Sequence, residues 1–382
     1  MTSTCTKDAP TAARHADARD AAPATLVTCG DAGATGHDAT SRRTVARRLA
    51  QAMGFGFGGA YVPGTRYAQP LYFVPSDALP AAAASALGIR AAEDLFGGVV
   101  PHAFVATKVI THPLHRRDAP APAGWSHDFA RRAHGAVLRG FSAFTREDAQ
   151  RAANDLLANG PVRIKLATGI GGSGQYVVET AEQAAAALAD ADARNLAQHG
   201  LVVEENLQDA VTFSVGRVEV RGVTLAYCGT QRVTPNNRGA LVYGGSALAV
   251  VRGGFSRLLE QPLPAAARAA VVLAQRYDDA ATRSYPGFFA SRRNYDVAHG
   301  RDGAGRARTG VLEQSWRIGG ASGAEVVALE AFRDDPTLEA VQASSVECYG
   351  EGVEPPPGAF VYFRGDDAHV GPLTKYACAT RA

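Results

Sequence analysis

Between residues 161 and 178 the chain carries a feature that few folds can accommodate. Two short runs rich in β-branched residues are joined by a loop in which Gly169, Gly171 and Gly174 meet the spacing G-x-G-x-x-G. The spacing alone says little, because a dinucleotide site needs such a loop to open a helix whose N-terminal amides hold the pyrophosphate. Here the loop leaves through Gln175, Tyr176, Val177 and Val178, whose side chains favour a strand. A Rossmann-type site is thereby excluded. What remains is a hairpin whose glycine tip can lay backbone N–H groups over phosphate oxygens. In the entering strand Val162 and Ile164 face one side while Arg163 and Lys165 face the other. Lys165 therefore stands beside the tip, placed to reach a phosphate; the alternative is an exposed lysine on a loose hairpin.

Composition narrows the classes further. Thirty-nine basic against 37 acidic side chains leave a formal charge of +2, too little for a chain that works mainly by electrostatic capture of nucleic acid or anionic membrane. No apolar run approaches the roughly 18 residues of a spanning helix. Four of the basic residues are lysine (Lys7, Lys108, Lys165 and Lys375) and the rest are arginine. Such a chain keeps lysine either where a compact ammonium is wanted or by chance of codon composition. Five scattered cysteines without a CxxC pair argue for reduced thiols and against a zinc site. Residues 1–24 read as a disordered tail without a secretory apolar stretch, so the cytoplasm is the expected compartment.

The 382 residues exceed what one core usually holds, about 250–300. A small α/β unit is expected over 25–105: strands at 25–29 and 71–75, a helix over 40–53 with Val45, Leu49 and Met53 spaced by four, and a short helix over 79–88. Residues 106–203 make a linker and lid subdomain, with a helix at 145–159 opened by Thr145 and Asp148. Residues 204–382 make a larger, β-rich subdomain with helices over 264–282 and 324–332, a final strand beginning near Ala359, and a C-terminal extension over 331–382.

The glycine loop, the run from Leu201 to Leu207 and the run from Val311 to Ser322 resemble, in that order, the ATP-grasp superfamily. Wider stretches, from Leu95 to Lys108 and from Pro286 to Ala298, are similar to an uncharacterised bacterial ATP-grasp-like family. The resemblance implies an α+β fold in which two subdomains clamp ATP, preceded by a small α/β domain. It implies that Lys108 and Lys165 are the nucleotide lysines and that Gly171, Gly172, Ser173 and Gly174 form the lid over the phosphates. Glu204 and Glu205 would lie on the hinge strand at the adenine edge, with Asn206 and Leu207 contributing backbone. Asp209 is the nearest carboxylate to the ribose position, where the family usually has a glutamate.

ATP phosphates need a hard cation, which one or two carboxylates can hold together with phosphate oxygens. Asp296 and Glu313 flank a Gly/Arg/Asp-rich turn. An even-length hairpin closing at Ala304–Gly305 or at Asp302–Gly303 puts both on one sheet face; an odd turn or a bulge would break that inference. Arg317 follows Glu313 and Ser315 at intervals of two, so a surface salt bridge is the competing account. The resemblance implies Mg²⁺, with Mn²⁺ as an alternative, on Asp296 and Glu313. Its pattern at the last strand is Glu-x-Asn-x-Arg, so Ser315 takes the asparagine position and Arg317 the catalytic arginine position beside Lys165. Arg232, Arg292 and Arg293 are further candidates for anion contacts. His102, His112 and His115 lack a carboxylate or cysteine partner in sequence and read as a solvated loop.

The activity implied is ADP-forming ligation of small molecules: a carboxylate becomes an acyl phosphate, which an amine or similar nucleophile captures. A homodimer is compatible with this reading; nucleic-acid and membrane partners are not expected. Two alternatives stay open: a nucleotide-binding module without turnover, and another ATP-dependent transfer such as a biotin-carboxylase-like reaction.

Overall fold

The computed structural model describes residues 24–31, 33–167, 174–189 and 191–381. Gly171, Gly172 and Ser173 lie outside the described residues, so only Gly174 of the expected lid glycines is placed.

The N-terminal unit is a parallel three-stranded sheet in the order Gly56–Ala60, Thr25–Cys29, Leu71–Pro75. Its helix, His37–Met53, buries Val45, Leu49 and Met53 and ends on Gly54 in a left-handed conformation at φ 67°. That helix packs in one core with the helix Ser322–Asp334, and Arg48 reaches across to Glu330 at 2.6 Å. A small sheet of Leu79–Pro80, Gly98–Val100 and Phe289–Ala290 stitches the unit to the larger subdomain. Gly98 is required there: a Cβ at this position would lie 2.9 Å from the Cβ of Trp316.

The lid sheet is antiparallel, in the order Gly140–Ala143, Leu201–Glu205, Val162–Leu166, Gln175–Val178. Val162, Ile164, Leu201 and Val203 point outward into a core made with helices Arg146–Leu157 and Ala181–Ala189. The first of these helices is capped by Thr145, whose hydroxyl accepts the Asp148 amide at 3.1 Å. Because the side-chain period is two, Arg163, Lys165 and Glu204 are left on the opposite face.

The large sheet has eight antiparallel strands, ordered Ala307–Ser315, Arg292–Arg301, Gln208–Val220, Val223–Pro235, Leu241–Arg252, Ala340–Tyr349, Gly371–Arg381, Phe360–Asp367. Helix Ala265–Ser284 covers one face and Ser322–Asp334 the other. The C-terminal extension is thus structural: it supplies the last three strands. No helix among the described residues is long and apolar enough to cross a membrane.

The expected even-length turn is not what closes the Asp296–Glu313 hairpin. Arg301 pairs with Ala307, which leaves the five-residue loop 302–306, and a bulge between Asp296 and Val297 shifts the register by one. The odd turn and the bulge cancel, and Asp296 faces Glu313 directly.

Candidate functional site

Two ion pairs, each built on a buried lysine, organise the space between the lid and the large sheet. On the lid, Lys165 Nζ donates to Glu204 Oε1 at 2.5 Å, and both side chains are withdrawn from solvent. Glu204 Oε2 accepts a second bond, from His112 Nε2 at 3.0 Å. Burial alone would raise the Glu204 carboxyl, but the Lys165 charge and the His112 hydrogen bond outweigh it and hold it down at about 2. On the large sheet, Lys108 Nζ donates to Glu313 Oε2 at 2.9 Å.

One short segment makes both connections. The 3₁₀ turn Lys108–Thr111, capped by the Thr107 hydroxyl, carries Lys108, and His112 follows it. Thr111 Oγ1 donates to Leu312 O at 3.3 Å on the large sheet, while Ser142 Oγ on the lid donates to His112 O at 3.2 Å. Lys165 is thereby linked to Glu313 through Glu204, His112 and Lys108.

Asp296 stands directly opposite Glu313. Its carboxyl is pushed up to about 6, first by burial and then by the facing Glu313 charge, against hydrogen bonds from Gln231 and Asn294. Asn294 Nδ2 donates to Asp296 Oδ1 at 2.9 Å. Two opposed carboxylates, one of them raised by burial and by the charge of the other, fit a divalent cation completed by phosphate oxygens. Among the described residues no group of three His, Cys, Asp or Glu side chains could hold a metal unaided. Ser315 is engaged elsewhere: its hydroxyl accepts from Arg292 Nη1 at 3.2 Å.

Several expected positions have protein partners of their own. Arg317 lies beyond the end of the Ala307–Ser315 strand, so the alternation with Glu313 does not extend to it; its guanidinium approaches Asp77 of the N-terminal unit at 3.7 Å. Glu205 accepts the Arg139 amide at 2.9 Å, and the Asn206 side chain accepts from Arg163 Nη2 at 2.8 Å. Leu207 packs with Leu138 and Ala298. Asp209 is exposed at φ 50°, beside an irregularity in its strand. Arg292 is buried against Glu325, at 2.8 Å, and Arg293 pairs with Asp278 at 3.1 Å on the other side of the sheet. Arg232 donates to Gly244 O at 3.2 Å.

The histidines correct the sequence reading most. His112 is 0% exposed and bonded to Glu204, not part of a solvated loop. His115 pairs with Asp155 at 2.6 Å, whereas His102 is exposed as expected and stacks on Phe104. Asn294 and Gln231 were also missed. Asn294 was within reach, since two residues before Asp296 on a strand means the same face.

Solved structures with this architecture span nearly the whole chain. N5-carboxyaminoimidazole ribonucleotide synthetase from Thermus thermophilus matches at 16% identity and a TM-score of 0.51, covering 94% of each chain. N5-carboxyaminoimidazole synthetase from Staphylococcus aureus, complexed with ADP, matches at 11% identity and a TM-score of 0.50, over 94% of this chain and 93% of that one. The biotin carboxylase domain of the Hydrogenobacter thermophilus 2-oxoglutarate carboxylase, in complex with MgADP, ADP and bicarbonate, matches at 11% identity and a TM-score of 0.50, over 94% and 86%. None of the curated proteins matches in sequence. The fold is that of the ATP-grasp enzymes, and the chain belongs to the family described as "Protein of unknown function (DUF3182)", whose sequence profile matches residues 26–377.

Proposed function

We propose that this protein is an ATP- and Mg²⁺-dependent, ADP-forming ligase that activates a carboxylate for capture by an amine or similar nucleophile. The observation that carries the reading is the facing pair Asp296 and Glu313, with Lys108 on the latter, joined to Lys165 through a single turn. Lys165 and Lys108 would exchange their carboxylate partners for phosphate oxygens. Asp296 and Glu313 would hold Mg²⁺, which when bound offsets charge on the transferring phosphoryl group. The substrate carboxylate oxygen bonds to the γ-phosphorus as the bond to ADP breaks. The nucleophile then bonds to the acyl carbon, the acyl C–O bond to phosphate breaks with its electron pair leaving on the phosphate oxygen, and the amine proton passes to solvent. Arg317, now 3.7 Å from Asp77, would exchange that partner to serve as the cation for the developing charge at the acyl centre.

ADP release with Mg²⁺ over a panel of carboxylates and amines tests this: release that requires both partners supports ligation. Lys165→Ala in the same assay should weaken ATP binding about tenfold or more, about 1.4 kcal/mol. One observation favours the second reading, a binding module without turnover: the Ser315 hydroxyl is tied to Arg292, so no amide stands at that position. Nucleotide binding with no ADP released across the panel would select it.

A further inference from the structure

The Lys165–Glu204 pair poses a problem for the nucleotide reading, on which the following rests. If Lys165 turns to a phosphate, Glu204 loses the positive charge that keeps it ionised. At 1% exposure, its carboxylate is too far from bulk solvent for hydration to make good the loss. Stranding a carboxylate in this way costs several kcal/mol in typical proteins, enough to cancel much of what the phosphate contact would contribute.

His112 answers it. Its Nε2 donates to the Glu204 oxygen that Lys165 does not use, Oε2 against Oε1, so the bond survives the departure of the lysine. Nothing else polar holds the ring: Nδ1 is buried without a hydrogen-bond partner among the described residues. A histidine buried for packing alone usually satisfies both nitrogens; this one has a single polar contact, and it is Glu204. The backbone has been cleared for that contact as well. A Cβ on Gly140 would lie 2.8 Å from His112 Cε1 and 2.9 Å from Glu204 Cβ, so a larger residue there would drive the pair apart. Finally, His112 is four residues from Lys108, on the same turn that grips Glu313.

We propose that His112 is a positioning residue for nucleotide binding: it holds Glu204 when Lys165 leaves for the phosphates, and so makes the lysine available. In the nucleotide-free protein Glu204 has two partners, and in the bound protein it keeps one.

The test is Mg-ATP binding by calorimetry on the full chain, with folding checked by circular dichroism. His112→Phe should weaken binding about tenfold or more, while His112→Gln, which keeps a donor within reach of Glu204, should stay within about threefold of the wild type. The decisive comparison is in the Glu204→Gln background, where no charge is left to strand. There, adding His112→Phe should change affinity by less than about threefold. A packing role would give the same loss in both backgrounds, and that result overturns the proposal, as does unaltered binding by a folded His112→Phe. Should His112→Phe not fold alone, His112→Asn, too short to reach Glu204, is read in the same way. A wild type that does not bind Mg-ATP refutes the nucleotide reading itself; a wild type that binds with an indifferent His112 refutes only this inference.

Discussion

At the scale of single residues, what distinguishes this protein is that each lysine among the described residues is buried against a carboxylate. Lys108 meets Glu313, Lys165 meets Glu204, and Lys375 meets Glu347 at 3.2 Å. For the first two this implies an exchange when nucleotide arrives. Glu313→Gln should abolish the Mg²⁺ dependence of ATP binding. In excess EDTA the same variant should bind ATP about threefold more tightly than the wild type, because Lys108 no longer has a charged competitor. Equal metal-free affinities would remove Lys108 from the phosphate site. Asp296 gives a pH signature in the unliganded protein. Its carboxyl is raised from an ordinary value near 4 to about 6, so its contribution to stability is complete below pH 4 and is lost as pH rises through 6. Asp296→Asn should therefore raise the melting temperature above pH 6 relative to the wild type, with the gap closing towards pH 4. A gap that is constant with pH would contradict the burial and repulsion assigned to this residue. Lys165 was legible from sequence because strand alternation placed it. His112 was not, because its partner lies 92 residues away and no local pattern announces that contact.

At the scale of elements, local periodicity served well where one face is apolar. The helix His37–Met53 and the strand Val162–Leu166 follow from spacing alone. It failed where the inward face is polar or carries little side chain. In the strand Ala340–Tyr349 the inward positions include Ser345 and Glu347 as well as Val341 and Ala343, so apolar alternation is masked. The strand Gly56–Ala60 is mostly glycine and reads as a loop, yet pairs in parallel with Thr25–Cys29. The Asp296–Glu313 hairpin shows a different limit: the shared face came out right although the turn length did not, since a bulge cannot be read from residue types. Trp316, at the end of the hairpin's second strand, fixes that element to the rest. It is buried, packs at a tilt of 44° on Phe288 with 4.2 Å between ring centroids, and donates to the Tyr295 hydroxyl at 3.2 Å. Trp316→Ala should cost about 3–5 kcal/mol in denaturant unfolding. A loss below about 1 kcal/mol would mean that the strand end is not anchored by this side chain.

For the whole molecule, the order of motifs along the chain carried the architecture: glycine hairpin, hinge strand, acidic strand pair. Sequence could not say how the subdomains face each other, because that depends on the turn Lys108–Thr111 and on contacts between residues about one hundred and two hundred positions apart. The central claim is that lid and large sheet share one nucleotide. The most direct measurement is a crystal structure of the full chain with Mg²⁺ and a non-hydrolysable ATP analogue. The expected result has Lys165 Nζ within hydrogen-bond distance of a phosphate oxygen, the metal on Asp296 and Glu313, and Glu204 still bonded to His112. A nucleotide bound elsewhere, with Lys165 remaining on Glu204 and no metal between Asp296 and Glu313, would contradict the account.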